Sequence, residues 1–281
     1  MKRTAKSLVT ALALLIGTIP NAYSSNLLDK VKNNKEITVA TEAAFKPFEF
    51  IENGQIVGYN KDLLDFVLAG LDDVTLKQLD VPWSGVLPGL AAKRFDFVVT
   101  AVAITPERQE KFAFTYPVAD ATVALLKRSN DLELKTPEDI NGRVVGSQVG
   151  TSLLRALQVY NEQLKQKGQP GVKEIKQYSS FDEAYADLAA GRIDAVAQSY
   201  SNLANVVQER PDVYAILEPT IGPKAYYSWV GRKDKDSETL VNFFSQRIGE
   251  ANKSGLMKEL QMKWFGFEME VPSDHVPSAA P

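Results

Sequence analysis

Arg108 stands in Ala103-Ile-Thr105-Pro106-Glu107-Arg108, directly after an apolar run that reads as a strand. A guanidinium at a strand end can clamp a carboxylate through two parallel hydrogen bonds, a geometry that lysine does not offer. The same residue also reads as an exposed helix arginine paired with Glu107 or Glu110. Farther along, Gly150-Thr151-Ser152 opens a helical pattern. Free amides and the positive end of a helix dipole attract an anion there, and the Thr151 hydroxyl adds a donor; an ordinary hydroxyl cap fits as well. Phe45 and Trp83 fall on loops, where their rings could flank an apolar or cationic group or pack into a core. Tyr226 and Tyr227 are adjacent in a strand pattern, so only one of them faces inward. His275 is the only histidine and cysteine is absent, which excludes a histidine-based triad and a zinc site of the usual nitrogen and sulfur ligands. No phosphate-cradling loop of the Walker or Rossmann pattern occurs. No metal and no cofactor are expected.

The elements that must carry these residues occur twice. Leu87-Pro-Gly-Leu-Ala-Ala-Lys-Arg94-Phe-Asp96-Phe-Val98 recurs as Tyr185-Ala-Asp-Leu-Ala-Ala-Gly-Arg192-Ile-Asp194-Ala-Val196. Each copy reads as a helix end, a short basic turn, an aspartate and an apolar strand. The strands run into Thr100-Ala-Val-Ala103 and Gln198-Ser-Tyr-Ser201. Two ordinary αβ units could match by chance over so short a stretch. A true repeat predicts two similar α/β lobes joined by two crossing hinge strands, near Ala119 to Leu125 and Pro219 to Tyr227. Ligands of open α/β sheets sit beyond the carboxyl ends of the strands, so facing lobes make a cleft.

Along the chain, Glu36-Ile-Thr-Val-Ala40 predicts a strand and Asn53-Gly54 a hairpin turn. A helix follows Gly58 with Asn60 as its cap, and a weaker strand spans Leu76 to Leu79. The first repeat helix runs from Trp83 through Ala92. Gly142-Arg-Val-Val-Gly146 reads as a buried strand, Lys165 to Gly171 as a polar loop, and Ser180-Phe-Asp-Glu183 as a helix cap. The divisions expected are a leader over 1–24, lobe one over 25–121, lobe two over 122–222, a return to lobe one over 223–270, and a disordered tail over 271–281.

The leader is predicted from a basic start (Lys2, Arg3, Lys6), an apolar run from Leu8 to Ile19, and small residues at Ala22-Tyr23-Ser24. The run is short and broken by Gly17 and Pro20, unlike a spanning helix. Removing it deletes three cations and no acid, which takes the formal charge of −3 to −6. No nucleic-acid footprint follows from such a chain. An exported chain without cysteine has no disulfide and no lipidated cysteine, so a soluble protein free in a bacterial periplasm is expected.

Taken together, these segments resemble the polar amino-acid family of periplasmic solute-binding proteins of ABC importers. The likeness lies in Glu36-Ile-Thr-Val-Ala-Thr-Glu-Ala-Ala-Phe-Lys-Pro-Phe48, Val57-Gly-Tyr-Asn-Lys-Asp-Leu63 and Trp83-Ser-Gly-Val-Leu-Pro-Gly-Leu90. It continues in Ile104-Thr-Pro-Glu-Arg-Gln-Glu110, Phe112-Ala-Phe-Thr-Tyr-Pro117, Val149-Gly-Thr-Ser152, Ala190-Gly-Arg-Ile-Asp-Ala195 and Lys263-Trp-Phe-Gly266. The resemblance covers nearly all of the chain after the leader and implies a type 2 periplasmic-binding-protein fold, the Venus flytrap. It also implies that Arg108 holds a ligand carboxylate with help from Thr151, that Phe45 and Trp83 flank the side chain, and that the backbone of Ala101 and Ala103 adds hydrogen bonds. The implied partners are a small carboxylate ligand and an inner-membrane permease, with the binding protein acting as a monomer.

Two positions depart from the family pattern. Ser199 stands where an aspartate usually pairs with the ligand ammonium, and Ala103 replaces a frequent hydroxyl residue. A buried ammonium without a carboxylate is unfavourable. Either Glu42 supplies the charge, or the ligand is an aromatic, modified or other organic carboxylate. A transport receptor without catalysis is the expected function. The rival is an exported dehydratase on the same fold, acting on prephenate-like acids through an acid in the cleft; Gln198-Ser-Tyr-Ser-Asn202 offers none, whereas Glu42 does. A receptor's sensing domain would need an anchor and a signalling module.

Overall fold

The computed structural model describes residues 26–279; the expected leader lies outside them. The chain opens with α1 (Leu27–Asn34), β1 (Glu36–Thr41), β2 (Ala44–Phe45), β3 (Glu49–Glu52), β4 (Gln55–Val57) and α2 (Tyr59–Leu68). Next come β5 (Thr75–Asp80), α3 (Trp83–Ala91), β6 (Phe97–Ala103), α4 (Pro106–Lys111), β7 (Phe112–Phe114) and β8 (Ala119–Asp120). The other half holds β9 (Val123–Arg128), β10 (Val144–Gln148), α5 (Ser152–Gln166), β11 (Glu174–Tyr178), α6 (Phe181–Ala189), β12 (Ala195–Ser199), α7 (Tyr200–Glu209) and β13 (Tyr214–Ile221). The chain closes with β14 (Tyr226–Arg232), α8 (Glu238–Lys253) and α9 (Leu256–Phe265).

Two mixed sheets result. One is ordered β5-β1-β6-β14-β7 and the other β11-β10-β12-β9-β13, with β2, β3 and β4 in a small third sheet. The chain passes from the first sheet to the second between Asp120 and Val123 and returns between Ile221 and Tyr226. In each large sheet the repeat strand pairs in parallel with the lobe's first parallel strand: Val39 with Phe97, and Val145 with Ala195.

The repeated residues do the same job in both lobes. The Asp96 carboxylate accepts from the Thr38 amide at 2.9 Å, and Asp194 accepts from the Val144 amide at 2.8 Å. Each aspartate thus satisfies an amide of the neighbouring strand. The preceding helix ends alike in both copies, on a residue with positive φ: Lys93 (59°) and Gly191 (73°). The left-handed conformation lets the next amides bond back to the helix carbonyls, Arg94 to Gly89 and Arg192 to Asp187.

Lobe one is tied together by an aromatic cluster. Phe48 is fully buried, with ring centroids 6.0 Å from Tyr59, 5.4 Å from Tyr227 and 4.9 Å from Phe265.

Three local expectations need correction. Gly58 (φ 127°), not Asn60, precedes the first residue of α2; a Cβ there would meet the Phe48 carbonyl oxygen at 2.4 Å. Asn60 is instead a buried bridge, as described below. The polar loop begins after Gln166, because α5 continues to that residue. The described part of the tail, 271–279, has no regular structure yet packs as a strap on lobe one. Val271 lies on the main core, Val276 and Ala279 on the cluster around Phe95 and Phe114, and the Gln109 side chain bonds Pro277 O (3.2 Å) and the Ala279 amide (3.3 Å).

Candidate functional site

The site is built where β6 and β10 end. All seven residues of β6 are buried, and the chain then turns into α4, capped by Thr105 with Pro106 in its first turn. This places Arg108 at the lobe boundary. Its guanidinium donates to Ala103 O at 3.1 Å and, across the cleft, to Gly150 O at 3.3 Å. It also lies 5.1 Å from the Trp83 ring. Burial draws its pKa down to about 10, so it stays cationic at neutral pH. Among the described residues no carboxylate forms an ion pair with it, contrary to the reading that pairs it with Glu107 or Glu110. The residue as a whole is half-buried.

From lobe two, Gly150 takes φ 75°, and the turn it makes starts α5. Thr151 is the cap: its hydroxyl accepts from the Leu154 amide at 3.1 Å and donates to Gln148 O at 2.7 Å. The first amides of the helix, from Ser152 and Leu153, have no intrahelical acceptor by geometry and point toward the helix end.

These groups line one narrow interlobe cavity of about 20 Å³, the lobes lying close together around it. Seven of the eight site residues expected from the sequence reach it: Glu42, Phe45, Trp83, Ala101, Ala103, Arg108 and Thr151. Phe45 spans the lobe boundary, with centroids 5.7 Å from Phe48 on one side and 5.9 Å from Phe181 on the other. Tyr227 lines the cavity and is buried, whereas Tyr226 is only partly buried. Ser199, the eighth, does not reach it. It is fully buried as the cap of α7, where its hydroxyl bonds Asn202.

Glu42 is the acid of the cavity. Its Oε1 accepts from Gln148 Nε2 at 2.6 Å, again across the lobes. Burial raises its carboxyl to about 7, opposed by the Gln148 bond and the Trp83 amide. Gln148 Oε1 is buried with no partner among the described residues and lines the cavity with unused hydrogen-bonding capacity, whereas the buried Tyr227 hydroxyl has the Ser199 hydroxyl beside it.

Two contributors escaped the sequence reading. Gln148 sits at the carboxyl end of β10, where the apolar run gives way to Ser147 and Gln148, and that change at a strand end is the available signal. Glu49 is fully buried behind Ala101. Its carboxyl accepts from Thr100 Oγ1, from Asn60 Nδ2 and, at 3.4 Å, from the Ala101 amide. Asn60 in turn accepts from Trp229 Nε1 at 3.1 Å. Burial raises Glu49 to about 8, well above the usual carboxylate range. Phe48-Glu49-Phe50 carried no hint of this, because alternation assigns the acid to the solvent face.

Residues 37–267 match the model of the bacterial extracellular solute-binding proteins, family 3. The chain belongs to this family. Among its relatives is the L-cystine-binding protein of Escherichia coli strain K12, 30% identical, the alignment covering 93% of this chain and 94% of that one. Among solved structures, a mutant of the arginine-binding protein ArgBP from T. maritima has a TM-score of 0.74 at 31% identity, covering 85% of this chain and 99% of that one. An ancestral amino acid-binding protein, a precursor of cyclohexadienyl dehydratase, has a TM-score of 0.71 at 27% identity over 85% of this chain and 99% of its own. The two-lobed architecture with two crossings is the type 2 periplasmic-binding-protein fold.

Proposed function

We propose that this protein is the solute-binding receptor of an ABC importer and that it captures an α-amino acid or a close relative between its lobes. The observation that carries the reading is Arg108: a cationic guanidinium at the lobe boundary, bonded only to backbone carbonyls, facing the N-terminal amides of α5. A carboxylate gains charge-assisted bonds from both halves at once, and contacts that need both halves favour lobe closure. Glu42 and the unpartnered Gln148 Oε1 supply the acceptors for an ammonium, in place of the aspartate that Ser199 replaces. Phe45 and Trp83 flank the side chain. Export through a leader at 1–24, release into the periplasm without a lipid, monomeric action and delivery to an inner-membrane permease complete the proposal. Glu42 also suits a general acid, which keeps the dehydratase reading as the alternative; prephenate would then be turned over rather than held.

Calorimetry against a panel of amino acids tests the binding reading, and its pH dependence tests Glu42. An ammonium beside Glu42 lowers the carboxyl from about 7, so binding releases a proton below that pH. Affinity should be full above pH 7 and fall as pH drops, approaching tenfold per unit. A flat profile from pH 8 to 5.5 contradicts the pairing.

Gln109 joins α4 to the strap and adjoins Arg108. Gln109→Ala removes two part-buried hydrogen bonds between α4 and the strap and should weaken binding by about threefold through a looser Arg108. The melting temperature should fall by a few degrees, about 2–4 °C per kcal/mol lost. An unchanged dissociation constant contradicts a positioning role.

A further inference from the structure

Phe45 is a partition as well as a wall. Its ring also lines a second, larger interlobe cavity of about 250 Å³. Lobe one gives this chamber Ala44 to Lys46, and lobe two gives it the start of α6, the end of β12 and one face of α7. The Lys46–Glu209 ion pair (2.6 Å) and the Asn202 bond to Lys46 O (2.9 Å) join the lobes at its edge.

Several polar groups of the chamber are unspent. Gln198 is fully buried; its Oε1 accepts from the Ser199 amide at 2.7 Å, while its Nε2 makes no hydrogen bond of good geometry among the described residues and has only the Tyr185 hydroxyl beside it. Such a donor calls for an acceptor. Asp182 has no ion pair or hydrogen bond among the described residues, and Arg210 has only a 3.4 Å bond to the Tyr214 hydroxyl and that ring's face at 5.1 Å. The chamber therefore offers one anion, one cation and one buried amide donor. The first cavity offers the same set: Glu42, Arg108 and the α5 amides. An α-amino-acid head, with its adjacent ammonium and carboxylate, complements each.

We propose that the solute is two-headed, a diamino dicarboxylic acid: one head lies between Arg108 and Glu42, the other between Arg210, Gln198 and Asp182, and the linker passes Phe45. This rests on the amino-acid reading of the first cavity.

The test uses the chain lacking residues 1–24 and calorimetry with L-cystathionine, L-cystine and meso-diaminopimelate. S-propyl-L-cysteine, which keeps the cystathionine linker but has one head, is the control. At least one two-headed compound should bind ten or more times more tightly than the control. Asp182→Asn and Arg210→Gln, both at exposed positions, should each remove most of that advantage, read as the ratio of two-headed to control affinity within the same variant. Arg108→Gln should weaken both. Equal affinity for one and two heads, or variants that keep the advantage, overturns the second-chamber assignment alone. Binding of non-amino carboxylates only, or of none of these probes, overturns the amino-acid reading as well.

Discussion

Arg108→Gln is expected to remain folded and to lose amino-acid binding by about 30- to several-thousandfold, equivalent to about 2–5 kcal/mol for a buried charge-assisted pair with one partner removed. Folding should survive because the guanidinium's own bonds are two contacts to backbone carbonyls and a ring face. Glutamine keeps the stem and the ability to donate but removes the charge and the fork. Arg108→Lys should fall between the two, since it restores charge without paired donors. Calorimetry gives the dissociation constants, and circular dichroism with a thermal melt establishes the fold. An Arg108→Gln variant that binds as tightly as the parent would sink the assignment of the site.

The largest stability effect is expected at Phe48. Its ring is fully buried and meets Phe45, Tyr59, Tyr227 and Phe265. Phe48→Ala removes a ring from a packed cluster and leaves a cavity, for about 3–5 kcal/mol of destabilisation. In a domain of this size each kcal/mol shifts the melting temperature by about 2–4 °C, so a drop of roughly 6–20 °C is expected by scanning calorimetry. Phe45 and Tyr227 touch the same ring and line the cavity, so affinity should fall too. A shift under about 2 °C would mean that the cluster relaxes to fill the space.

The lobes and the Arg108 cavity were legible because each rests on local chemistry that repeats or stands out. Asp96 and Asp194 satisfy equivalent strand amides, so the repeat is a shared structural solution and the matching pattern in the sequence reflects it. Arg108, Gly150 and Thr151 follow from strand ends and helix starts, which local rules describe. What stayed hidden depends on partners distant in sequence. Glu49 is buried because Thr100, Asn60 and the Ala101 amide converge on it, and nothing in its own segment says so. Asn60 looked like a cap because it opens a helical pattern; its role comes from Trp229, 169 residues away. Ser199 was placed by alignment with a family position, but as a helix cap it turns its hydroxyl to Asn202. The proline-rich end looked disordered because composition does not reveal that Val276 finds an apolar cluster and Pro277 finds Gln109.

That last contact reaches beyond packing. Through Gln109, residues 277 and 279 bear on the short helix that aims the arginine. Natural drift or selection acting on this stretch can therefore retune uptake without altering any group that meets the guest, and variants with changed nutrient preference are worth seeking there as well as in the cleft.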